Sequence, residues 1–134
     1  MEQAVLKTQS YFSSNDISKD VVDSAFYVYK QMGIGLLESV YEECLCYTLE
    51  KRQIPFERQK PISVFMDGQD MGIAFKADVI VDNCLILEIK SVEKLNDVHT
   101  AQLLNYMRLS GIKTGFLMNF NERMFKDGIR RFML

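Results

Sequence analysis

Lys76-Ala77-Asp78-Val79-Ile80-Val81-Asp82-Asn83-Cys84-Leu85-Ile86-Leu87-Glu88-Ile89-Lys90-Ser91 consists of two apolar, β-branched runs around a polar turn at Asp82-Asn83. That is the pattern of a β-hairpin. Into those runs the sequence sets three charges, Asp78, Glu88 and Lys90. A charge at a buried strand position is costly unless it is paired or bound to metal. Glu88 and Lys90 are two residues apart, so both leave the same face of their strand. Two acids and a lysine converging on one sheet face suit a divalent-metal site with an electrophilic helper. The loop must then obey a parity rule. A two-residue loop at Asp82-Asn83 pairs Asp78 with Leu87 and turns Glu88 to the opposite face. The metal reading requires an odd loop, such as Asp82–Cys84, or a bulge. The expectation is Asp78 across from Glu88, with both carboxylates on one face.

The whole chain sets the frame around this hairpin. Its 134 residues predict one domain, 1–134, able to bury roughly two thirds of its unfolded surface. With 48% apolar and 25% charged residues, the composition is that of an ordinary globular protein. No apolar run approaches the ~20 residues of a membrane span. The N-terminus lacks the basic-then-apolar pattern of a secretory signal, so a cytoplasmic address is expected. Cys44, Cys46 and Cys84 are odd in number and lack CxxC spacing, which argues for buried free thiols over a disulfide or zinc framework. The net charge of −2 means that a nucleic-acid partner would be attracted by local patches, by bound metal, or by both.

Outward from the hairpin, the N-terminal residues 1–15 are mixed, with Val5, Leu6, Tyr11 and Phe12 able to dock a short leading helix. Asp16 is placed to cap a helix carrying Val21, Val22, Ala25, Phe26, Tyr29 and Met32 at helical spacing, ended by Gly33 and Gly35. A second helix, about Leu36–Arg52, presents Leu37, Val40, Tyr41, Cys44, Leu45, Thr48 and Leu49 as one wide buried face. Glu38 lies at the N-terminal end of that face. It reads either as a first-turn carboxylate complementing the helix dipole or as a site residue. Ile54-Pro55-Phe56 begins a β region in which Ile62–Met66 and Met71–Phe75 alternate around a turn at Asp67–Asp70, and with the hairpin they predict a meander of three or four strands. Arg58 and Lys60 flank it, as a solvated edge or as phosphate contacts.

After the hairpin, Leu95–Ser110 predicts a helix whose stripe is Leu95, Val98, Gln102, Tyr106 and Leu109. Gln102 then sits on the packed face, where a buried amide needs partners. It is satisfied by backbone or aimed at the hairpin site. His99, the single histidine, belongs to the first turn and reads as a solvated polar residue or a ligand. Thr114–Phe120 and Ile129–Leu134 predict two further strands. Between and within them Arg123, Lys126, Arg130 and Arg131 form the most basic stretch, either solvated surface or a nucleic-acid backbone contact.

Three pieces of this sequence resemble one known family. Ala77-Asp78 followed by Glu88-Ile89-Lys90, the only E-x-K in the chain, resembles the PD-(D/E)xK nuclease motif with Ala77 in place of the proline. Gln102-Leu103-Leu104-Asn105-Tyr106 looks like the Q-x-x-x-Y helix motif of the RecB and lambda-exonuclease branch. Gly35-Leu36-Leu37-Glu38-Ser39-Val40-Tyr41 reads as G-x-x-E-x-x-Y, the pattern that names the small bacterial GxxExxY family of that superfamily. The resemblance runs from about Ile17 to Phe120. It implies an α/β, restriction-endonuclease-like core, a mixed central β-sheet flanked by helices with the acidic hairpin at its centre. It implies Mg²⁺ or Mn²⁺ on Asp78 and Glu88, with the Ile89 carbonyl as a third ligand and Glu38 reaching the metal directly or through water. Lys90 would orient the attacking water or stabilise charge on the phosphate, and Gln102 and Tyr106 would position site residues or substrate.

The function so implied is metal-dependent hydrolysis of nucleic-acid phosphodiester bonds, with DNA as the first expectation. The alternative is a non-catalytic nucleic-acid-binding or accessory module on the same fold. A third reading makes Asp78, Glu88 and Lys90 a structural ion-pair network, which is weaker because such networks are rarely net stabilising. A homodimer or a partner protein is compatible with the small size and the apolar C-terminal residues Phe132-Met133-Leu134.

Overall fold

Ile17, Val21, Ala25 and Val28 recur every three or four residues and are all buried, which gives the first helix, α1 (Ser14–Met32), one continuous core stripe. The computed structural model describes residues 14–134, with side chains described from residue 17 onward. The leading-helix expectation for Val5, Leu6, Tyr11 and Phe12 lies outside the described residues. Asp16 is inside α1 rather than its cap, since the helix is already running at Ser14. Phe26 and Met32, expected in the core, are exposed, because the true stripe is set by Ile17 and Val28 on the neighbouring side.

The second helix, α2 (Glu38–Lys51), buries Tyr41, Glu42, Leu45, Cys46, Thr48 and Leu49. Leu37 is 73% exposed and Val40 lies at the surface, so the packed face is rotated toward Glu42 and Cys46 relative to the sequence expectation. The strands follow as β1 (Phe56–Met66), β2 (Gln69–Val81) and β3 (Leu85–Lys90). Met71–Phe75 and Lys76–Val81 form one long strand, so the meander has three strands, and β1 starts at Phe56, where the β region was expected to open. Cross-strand pairing with β1 makes β2 continuous from Gln69 to Val81.

The chain then forms α3 (Asp97–Ser110), β4 (Thr114–Asn119), a 3-10 turn at Phe125–Gly128 and β5 (Ile129–Met133). Asn96 caps α3 by accepting from the Val98 and His99 N–H groups, while His99 Nδ1 accepts from the Asn96 N–H at 3.1 Å. Sheet order is β1-β2-β3-β4-β5, with β3–β4 parallel and the other pairs antiparallel. The result is the expected α/β architecture, a mixed sheet with helices on both faces and the acidic hairpin in the middle. No helix among the described residues is long and apolar enough to cross a membrane.

Alternation along β3 divides the core. Leu85, Leu87 and Ile89 pack with α1 and α2, whereas Ile86 packs with Leu103 and Met107 of α3. Each such aliphatic side chain contributes about 1.5–3 kcal/mol when fully buried. By the same parity Glu88 and Lys90 project to the α3 side. Gly115 lets α3 come close: a Cβ there would stand 2.7 Å from Met107 Sδ and 3.0 Å from Ile86 Cγ2.

Candidate functional site

The β2–β3 ladder pairs Val81 with Leu85, Ile80 with Ile86 and Val79 with Leu87. One step further along that register, Asp78 stands across from Glu88. The loop between the strands is the odd-length Asp82-Asn83-Cys84 that the metal reading demanded. Asp82 and Asn83 take left-handed φ values of 48° and 54°, and the Cys84 N–H closes the turn on the Val81 carbonyl at 2.9 Å. Beyond Val79 the main-chain ladder stops. The Ile89 N–H donates instead to Asp78 Oδ2 at 2.9 Å. The Ile89 carbonyl points to the same side of its strand as that N–H, toward the gap opened between β2 and β3.

Glu88 is 5% exposed. Its Oε2 lies 3.8 Å from Lys90 Nζ, and its Oε1 is buried without a hydrogen-bond partner. Burial, and then the charge of Asp78, raise the Glu88 carboxyl to about 8, with Lys90 opposing. Asp78 is also raised, by burial first and by Glu42 next, while the Ile89 N–H, Gln59 and Lys90 work the other way. Both carboxyls are thus displaced toward the protonated form, and a bound cation would favour their ionised forms.

The loop before α2 brings Glu38 to this place. Tyr41, fully buried and stacked on Phe120 at 4.7 Å, donates its hydroxyl to the Gly33 carbonyl at 2.6 Å and accepts from the Leu36 N–H at 3.2 Å. Gly35, at φ 95°, supplies the turn that a side chain would strain. Ser91 Oγ donates to the Leu36 carbonyl at 2.6 Å, and the Ser91 N–H donates to Glu38 Oε2 at 3.2 Å. Thus the G-x-x-E-x-x-Y pattern has a local reason: the glycine turns the chain, the tyrosine pins the turn, and the glutamate docks on the exit of β3. That exit is held from the other side by Asn119, whose amide accepts from the Val92 N–H and donates to its carbonyl at 3.1 and 3.0 Å.

Helix α3 contributes a second wall. Its buried residues are Leu103 and Met107, so Gln102 is exposed and not on the packed face as expected. Leu95 precedes the Asn96 cap and lies outside the helix, and counting it in shifted the stripe by one position. His99, Gln102 and Tyr106 still share a stripe, at i, i+3 and i+7. His99 is held below its usual range by burial and then by Lys90, with Glu38 opposing. Tyr106 is raised by burial and then by Glu88 and Asp78, and its ring stacks on Phe75 at 3.7 Å. Both ends of the stripe therefore sense the acids, with Gln102 between them at the solvent side.

Sequence reading missed one group of residues entirely. Arg58, read as a solvated edge or a phosphate contact, donates from Nε and Nη2 to Glu42 Oε2 at 3.2 and 3.0 Å and from Nη1 to Glu43 Oε1 at 3.2 Å. Gln59 Nε2 donates to Glu42 Oε1 at 2.9 Å and to Asp78 Oδ1 at 3.3 Å. The usable signal was Glu42 itself, which falls one residue after Tyr41 at the margin of the α2 core face.

Among the described residues no three of His, Cys, Asp and Glu converge as a cage for a metal ion. Glu38 is thus not a third carboxylate beside Asp78 and Glu88; its Oε2 is engaged by Ser91. Two carboxylates are nevertheless a sufficient donor set for Mg²⁺, which keeps several waters and takes phosphate oxygens as further ligands. The unpartnered, buried Glu88 Oε1 fits that requirement. Among protein-family models, the one for the PD-(D/E)XK nuclease superfamily matches residues 15–132. No curated protein and no solved structure gives a match.

Proposed function

This chain belongs to the PD-(D/E)XK nuclease superfamily, and from that premise we propose that it hydrolyses nucleic-acid phosphodiester bonds, those of DNA first, with Mg²⁺ or Mn²⁺ held by Asp78 and Glu88. The observation that carries this reading is the buried Glu88 Oε1 left without a partner in register with a second acid. When bound, the cation would polarise the phosphoryl oxygen and make water a better nucleophile. The Ile89 carbonyl would offer it a third oxygen, and Glu38 would act through water rather than directly. Lys90 Nζ, 3.8 Å from Glu88 Oε2, supplies positive charge for the phosphate and holds the attacking water in line. Gln102 and Tyr106 position the substrate at the mouth of the site.

Net charge supports a division of labour. With 18 acidic and 16 basic residues, the chain attracts phosphates through the cation and local basic groups rather than through a global field. A non-catalytic accessory module on the same fold has one observation in its favour: Ile34 and Leu37, beside Glu38, are 50% and 73% exposed, an apolar rim suited to a partner protein. Cleavage separates the two. Linear and circular duplex DNA, single-stranded DNA and structured RNA are incubated with Mg²⁺ or Mn²⁺, beside Lys90→Ala. The nuclease reading expects cleavage that Lys90→Ala lowers on the order of 10²-fold or more. Equal residual activity in both proteins contradicts it.

A further inference from the structure

We propose that Gln59, anchored by Glu42 and Arg58, is a positioning residue that fixes the orientation of the Asp78 carboxylate. The inference rests on the cation reading of Asp78 and Glu88 and adds the residues that hold one of those acids in place. Gln59 Nε2 has two protons and accepts nothing. One goes to Glu42 Oε1 at 2.9 Å and the other to Asp78 Oδ1 at 3.3 Å. The second Asp78 oxygen is taken by the Ile89 N–H at 2.9 Å. Gripped at both oxygens, the carboxylate cannot turn about its Cβ–Cγ bond without losing a hydrogen bond. Its remaining lone pairs keep one direction.

The backbone of β1 is shaped for this grip. In a regular strand consecutive side chains leave opposite faces. Here Arg58 and Gln59 are consecutive, yet both reach Glu42. The left-handed φ of 48° at Gln59 makes that possible. It is a conformation that non-glycine residues seldom adopt, and such outliers gather where a site needs a group held in place. Pairing closes up on either side, Arg58 with Val79 and Lys60 with Ala77, so the distortion is confined to Gln59. Glu42 in turn is fixed on its other oxygen by two Arg58 nitrogens. The Gln59 amide thus bridges two neighbouring carboxylates and ties α2 to the acid of β2.

Gln59→Gly tests this, because glycine accepts the left-handed backbone while removing the amide. The full chain is titrated calorimetrically with Mn²⁺ alone, and the Asp78 carboxyl-carbon resonance is followed in the metal-free protein with Asp127 as reference. The expected result is melting no lower than wild type, Mn²⁺ binding weaker by about tenfold or more, and an Asp78 resonance displaced while Asp127 stays. Unchanged affinity together with an unmoved Asp78 resonance overturns the proposal. Should Gln59→Gly not fold, Gln59→Asn tolerates the same backbone but is too short to bridge, and the same readouts apply. If wild type takes up no Mn²⁺, the cation reading fails by itself. The metal-free resonance then decides on Gln59: displacement retains the grip on Asp78, and no displacement removes it.

Discussion

Glu88 and Lys90, two residues apart on β3, bring Oε2 and Nζ to 3.8 Å and leave the other Glu88 oxygen buried with no partner. One lysine at that distance does not neutralise a carboxyl that burial and Asp78 both disfavour as an anion. The folded chain therefore favours the protonated Glu88 carboxyl, and ionising it comes at the expense of stability.

That expense has a definite pH dependence. Glu88 is raised from 4.5 to about 8 in the folded chain. Between those values the folded chain keeps a proton that the unfolded chain has released. The Glu88 contribution to stability is therefore fully present below about pH 4.5 and is lost as pH rises through about 8. Glu88→Gln removes the titrating group. In chelator-treated protein its melting temperature should match wild type near pH 4.5 and exceed it at pH 8.5. A difference that does not grow with pH contradicts the assigned burial.

Arg58 should matter more than its surface position suggests. Arg58→Ala leaves Glu42, with a side chain only 10% exposed, as an unpaired buried charge. The expected loss is about 1–3 kcal/mol by urea unfolding, below the figure for a fully buried pair because the Arg58 side chain is 35% exposed. Glu43→Ala removes only an exposed partner and should cost about 0.5 kcal/mol or less. Equal effects would mean that the Glu42 pairing contributes nothing of its own.

Gly115→Ala tests the closeness of α3 to the sheet. The new methyl group meets Met107, Ile86 and Leu103 at 2.7 to 3.1 Å. Overpacking of this kind typically costs about 1–3 kcal/mol. A variant as stable as wild type in urea would show that α3 can move away freely.

Cys46 should resist alkylation in the native protein. Its thiol is buried and pushed up to about 12, chiefly by burial. Thiolate is the reactive form, so mass spectrometry after iodoacetamide treatment at pH 8 should find Cys46 unmodified until urea unfolds the chain. Rapid native labelling would place it at the surface.

What the sequence disclosed, and what it hid, follows from the range of the interactions. Asp78, Glu88 and Lys90 stand out locally, as charges inside apolar runs, and the metal reading required an odd loop or a bulge to bring the two acids together, with the loop length itself left open by the residues. Glu38 and Tyr41 were visible as a spacing, although the role of Tyr41 in pinning the Gly33–Leu36 turn was not. The Arg58–Glu42–Gln59 group was hidden because it joins β1 to α2, and Glu42 beside Glu43 looks like an ordinary solvated pair. Gln102 was put on the packed face because Leu95 was counted as helical; the cap at Asn96 sets the phase one residue away, on Leu103 and Met107. The strand count of the meander was open between three and four, because only pairing with β1 makes β2 one continuous strand.

The central claim, that Asp78 and Glu88 together hold a divalent cation, is tested most directly by soaking crystals in Mn²⁺ and computing the anomalous difference map. The account predicts a peak between the two carboxyl groups, within roughly 2.0–2.5 Å of an oxygen from each, that disappears in Glu88→Gln. A map with no peak there, or one unchanged in Glu88→Gln, would contradict it.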